Sequence, residues 1–66
     1  MSSEVEELSV GRRRELFVAL VAAQDEGLSV RESKEVIARR FEVGAGTVGE
    51  VEEEGLDGNW PPFGRG

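Results

Sequence analysis

Apolar residues recur at helical spacing in three stretches of the chain. Leu16, Phe17, Leu20 and Val21 fall at i, i+1, i+4 and i+5 behind Ser9, a residue suited to capping a helix, and Gly27 is the expected stop. Ser29 opens a second helix. Glu32 stands three residues on in the capping-box arrangement, and Ser33 offers a later alternative cap. Val30, Val36, Ile37, Ala38 and Phe41 carry this helix over about residues 30–41. Glu42-Val43-Gly44-Ala45-Gly46 reads as a turn, after which Thr47, Val48 and Val51 begin a short third helix that Gly55 closes. Leu56, following that glycine, is placed to fold back on Val51 as the hydrophobic contact of a Schellman cap.

Residues 1–8 form an acidic N-terminal segment, and residues 9–56 hold the three helices. Asp57-Gly58 signals a turn, and Pro61 and Pro62 keep the 57–66 tail extended. The expected fold is therefore all-α, a three-helix domain with an extended aromatic and proline-containing C-terminal tail. Trp60 and Phe63 are half of the four aromatic residues. Three readings of them stay open: Trp60 as a lid on the helical core, Trp60, Pro61, Pro62 and Phe63 as a polyproline-type docking motif for a protein partner, or a disordered tail.

Composition narrows the function classes. A chain of 66 residues buries about 60% of its unfolded surface, which allows one modest core. Cys and His are absent, so no disulfide and no thiolate or imidazole metal site braces that core. Lacking His, Cys and Tyr as base or nucleophile, the chain is expected not to be an enzyme, with no cofactor, metal or small-molecule substrate. Gly44-Ala45-Gly46-Thr47-Val48-Gly49 spells a literal G-x-G-x-x-G. It lacks the preceding strand and the downstream ribose-binding acid of a dinucleotide fold, and it reads as a glycine-rich turn. The longest apolar run, Leu16 to Ala23, falls short of the roughly 20 residues a membrane-spanning helix needs. The N-terminus is acidic where a secretory signal is basic and then apolar, so a soluble, cytoplasmic protein is expected.

Eight Lys and Arg face fourteen Asp and Glu, a net charge of −6, and the charge is unevenly spread. Residues 28–41 hold Arg31, Lys34, Arg39 and Arg40 against Glu32 and Glu35. Residues 42–58 hold Glu42, Glu50, Glu52, Glu53, Glu54 and Asp57 and no cation at all. The acidic run lacks the spacing of a calcium loop and reads as a solvated face.

Ile37, Ala38, Phe41, Val43, Val48 and Val51 reproduce the apolar spacing of a helix-turn-helix. The segment from Leu28 to Val48 resembles the helix-turn-helix of small bacterial regulators. It is also similar to the promoter-reading region of sigma factors and to the DNA-binding domains of transposases and resolvases. The resemblance covers about residues 12–56 and implies that the third helix enters the major groove. It maps DNA-facing positions onto Ala45, Gly46, Thr47, Gly49, Glu50 and Glu53, with Thr47 and Glu50 as the polar candidates for base contact. The family usually has Gly where Glu42 stands and Ser where Gly44 stands. None of the mapped residues grips a phosphate, so phosphate contacts fall to Arg12, Arg13 and Arg14 at the start of the first helix and to Arg31, Lys34, Arg39 and Arg40 on the second. What the resemblance implies is a small DNA-binding or transcription-associated protein with weak direct base readout, aided by a protein partner or a homodimer. The acidity of the third helix supports an alternative, a helix-turn-helix scaffold that binds a basic protein.

Overall fold

The computed structural model describes residues 4–61. Among them the chain is helical without strands: α1 (Glu4–Glu7), α2 (Val10–Asp25), α3 (Val30–Phe41) and α4 (Ala45–Asp57). The three long helices pack each on the other two, and α1 packs on α4. Their shared core is Leu16, Phe17, Leu20 and Val21 from α2, Ile37 and Ala38 from α3, Val48 and Val51 from α4, and Trp60 beyond it. Val5, Ala19, Phe41 and Val43 close its edges. No described helix is long and apolar enough to cross a membrane.

The helix starts follow local side-chain chemistry. Ser9 accepts the Arg12 N–H at 3.1 Å, and Ser29 accepts the Glu32 N–H at 3.1 Å while the Glu32 carboxylate accepts the Ser29 N–H at 3.2 Å. Each pair satisfies amides that the first turn leaves without a partner.

The helix ends share one device. The N–H groups of Leu28, Val43 and Trp60 reach back to the carbonyls of Ala23, Ala38 and Gly55, at 3.3, 2.9 and 2.9 Å. Before each stands a residue with positive φ: Gly27 at 107°, Glu42 at 58° and Asn59 at 52°. This is the Schellman geometry, and in every case the residue it delivers next is apolar. Only the first instance uses the glycine that marks such a turn in sequence.

Four expectations change accordingly. The described fold has four helices rather than three, because the acidic N-terminal segment contains α1. The third expected helix starts at Ala45 and runs through Gly55 to Asp57. Gly55 does not stop it, because the Schellman turn that ends this helix needs a left-handed residue and Asn59 supplies it. Leu56 consequently lies within the helix at 52% exposure instead of folding back on Val51. Ser33 is no cap; it is fully buried, donates to the Val30 carbonyl at 2.8 Å and accepts from Gln24 Nε2 at 3.2 Å. Gln24 also bonds Glu52 at 3.3 Å, so one polar bridge ties α2, α3 and α4 together.

Candidate nucleic-acid interface

Glu42, Val43 and Gly44 are the whole connection between α3 and α4. Glu42 holds the left-handed conformation (φ 58°, ψ 46°) that the resemblance associates with glycine. A left-handed L-residue costs about 1–2 kcal/mol. Burial of Val43 against the core and recovery of the Ala38 carbonyl offset that cost. Ala38, only a methyl, lets α4 approach, and Val48 and Val51 are fully buried behind it.

The start of α4 is completed from elsewhere in the chain. Gly44 occupies the cap position and has no side chain to offer. Glu4, forty residues upstream, brings its Oε1 within 2.9 Å of the Gly44 N–H and 2.6 Å of the Thr47 hydroxyl, both of which donate to it. Thr47 stands three residues after the cap, where a capping box would carry Glu; α1 supplies that carboxylate from outside the helix. A negative charge at this helix start is also favoured by the backbone dipoles. The Thr47 hydroxyl and then the Gly44 amide hold the Glu4 carboxyl below its ordinary value of 4.5.

Because that value is depressed in the fold, the contact is complete above the ordinary carboxylate range and is lost as pH falls through the lowered value. The Gly44 amide proton is therefore expected to titrate in an NMR series with a midpoint below 4.5. A Gly44 resonance that does not move across the acidic range would exclude the contact.

Of the residues expected to meet DNA, Thr47 is only 7% exposed and its hydroxyl is committed to Glu4. Glu50 is exposed on α4, as are Ala45, Gly46 and Glu53, while Gly49 is half-buried beside Lys34. Arg31, Arg39 and Arg40 are all exposed on α3. They do not form one patch. At 100° per residue the nine positions between Arg31 and Arg40 amount to two and a half turns, which puts them on opposite flanks about 13 Å apart along the axis. Arg31 pairs with Glu35 at 3.6 Å, in place of the Glu35–Arg39 pair that helical spacing equally permits. Arg39 and Arg40 carry no ion pair among the described residues and sit in the last turn, where cations suit the helix dipole. On the neighbouring helix, the Arg12 guanidinium lies 4.4 Å from the Phe41 ring centroid and that of Arg14 lies 5.3 Å from Trp60.

The acidity of α4 is partly neutralised within the fold. Glu52 meets Lys34 at 3.6 Å, and both Glu54 oxygens meet Arg13 Nη1 at 3.2 Å. Glu50, Glu53 and Asp57 are exposed with no ion pair among the described residues. Their spacing of three and four residues sets them along one face of the helix.

The tail residues divide. Trp60 is buried and packs edge-to-face on Phe17 at 6.0 Å, Pro61 is exposed, and Pro62 and Phe63 lie outside the described residues. Glu4 is the one site residue that reading the sequence missed. A glycine cap with Thr rather than Glu three positions later leaves a capping box incomplete, and that vacancy is the signal that could have pointed to it. No family model, curated protein or solved structure matches the chain.

Proposed function

We propose that the domain is a helix-turn-helix protein that binds duplex DNA, or acts within a transcription complex, through the α3–α4 pair. The observation that carries this reading is the three-residue turn through left-handed Glu42, with Ala38, Val48 and Val51 buried and Val43 partly buried around it. It leaves the opposite side of α4 exposed and uncharged over Ala45 and Gly46, where backbone can approach a groove closely. Arg31 flanks α4 from the start of α3, and Arg39 stands on the outer face of α3. These are exposed cations on the α3 side of an inserted helix, where phosphates would pass. Base readout is weak, because Glu50 is the only exposed polar side chain in the first two turns of α4, and it suits a cytosine amino group alone.

The test is binding to random duplex DNA at about 50 and about 200 mM salt, across which phosphate contacts produce a steep loss of affinity. Arg31→Glu and Arg39→Glu are each expected to weaken binding and to lower the salt slope by about 1. Glu50→Ala should alter base preference with little change in that slope. Absence of binding at the lower salt, both by the wild type and by a Glu4→Ala variant, would remove the DNA reading.

A second reading is favoured by the row of Glu50, Glu53 and Asp57, which have no ion pair among the described residues while Glu52 and Glu54 are neutralised. On this reading α4 presents carboxylates to a basic protein. Charge removal at these three positions would then weaken partner capture and strengthen binding to DNA.

A further inference from the structure

We infer that α1 is an autoinhibitory arm, docked through Glu4 onto the start of α4, which must be released before the domain engages DNA; the inference rests on the DNA-binding reading above. In a helix-turn-helix the first residues of the inserted helix are the ones that meet base edges and phosphates. Here the Gly44 amide and the Thr47 hydroxyl at that end are both occupied by the Glu4 carboxylate. The same four-residue helix holds Glu6 and Glu7, so the arm docked at this point carries three carboxylates within a single helical turn.

The arm is built to detach. A helix of four residues has no stability of its own, because nucleation alone is unfavourable at that length. What holds it is Glu4's two hydrogen bonds and the half-buried Val5 side chain against the core. Glu4 itself remains solvent-exposed. The long helices keep their own caps, Ser9 for α2 and the Ser29–Glu32 box for α3, so undocking α1 leaves their starts intact. Release makes the Gly44 amide and the Thr47 hydroxyl available as donors to a phosphate oxygen and withdraws three negative charges from the approach. The occupancy of the docked state then lowers the apparent DNA affinity by the fraction of molecules that are open.

The experiment compares full-length wild type, Glu4→Ala and the double variant Glu6→Ala/Glu7→Ala for binding to a random DNA duplex at about 50 mM salt. Glu4→Ala should bind about tenfold tighter, within the usual range of coupling between two sites. The double variant removes two charges from the arm but keeps the latch, and should gain less. Hydrogen exchange at the Gly44 amide should accelerate in Glu4→Ala and stay at the wild-type rate in the double variant. If Glu4→Ala fails to fold, Glu4→Gln, which keeps an acceptor oxygen but not the charge, takes its place with the same direction of change. Equal or weaker DNA binding by the Glu4 variant, or a gain no larger than that of the double variant, would overturn autoinhibition while leaving the DNA reading standing. No binding by any of the variants would remove the DNA reading itself, and autoinhibition with it.

Discussion

Gly55→Ala is expected to destabilise the domain by about 2 kcal/mol, the reverse of what alanine does at most helical glycines. Intrinsic propensity favours alanine over glycine in a helix interior by about 1 kcal/mol. At residue 55 that gain is overwhelmed, because a methyl built there would collide with the Phe17 ring, coming within 2.8 Å even of its Cγ. Phe17 is fully buried and has Trp60 edge-on against it, so the ring cannot retreat into solvent. Overpacking of this kind typically costs 1–3 kcal/mol and occasionally more. Gly49 in the same helix provides the control: its methyl would meet only the flexible tip of Lys34, at 3.6 Å. Gly49→Ala should therefore stabilise by about 1 kcal/mol. Urea denaturation followed by circular dichroism reads both, and two changes of the same sign would show that α4 does not pack its Gly55 face on Phe17.

That glycine also shows where the sequence stops being legible. Residue by residue, Gly27 and Gly55 look alike as stop signals, yet one sits at a left-handed turn and the other sits mid-helix against an aromatic ring. Propensity sees only the missing side chain; the ring it accommodates comes from a helix 38 positions away. The reverse error occurs at Glu42 and Asn59, which turn the chain left-handed without the residue that normally announces it. The starts of α2 and α3 were readable because Ser9, Ser29 and Glu32 act within four residues of themselves. The start of α4 was not, since its carboxylate comes from Glu4. The same distance effect governs the candidate site. Exposure of Arg31, Arg39, Arg40 and Glu50 follows from helical periodicity, whereas the masking of Thr47 depends on a segment whose own sequence is merely acidic.

Trp60→Ala is expected to cost about 3–5 kcal/mol, the usual range for deleting a buried aromatic side chain. A domain of this length has only about 3–10 kcal/mol of total stability, so the variant should lose about half or more of it and melt far below the wild type. The position of Trp60 explains the size of the effect. The left-handed Asn59 and the bond from the Trp60 N–H to the Gly55 carbonyl turn the chain back, and the indole then lies edge-on to Phe17 with the Arg14 guanidinium over its face. Losing the ring removes its edge-on contact with Phe17 and the apolar anchor at the end of α4. Trp60→Phe should retain most of the stability, because a smaller ring can still meet Phe17. This arrangement bears on any docking role for the tail: a partner that extracted Trp60 would have to supply the same few kcal/mol that the core gives up. Thermal unfolding and limited proteolysis check the outcome. A Trp60→Ala protein as stable and protease-resistant as wild type would place the indole outside the core, and a folded variant that no longer captures a partner would return Trp60 to the recognition surface.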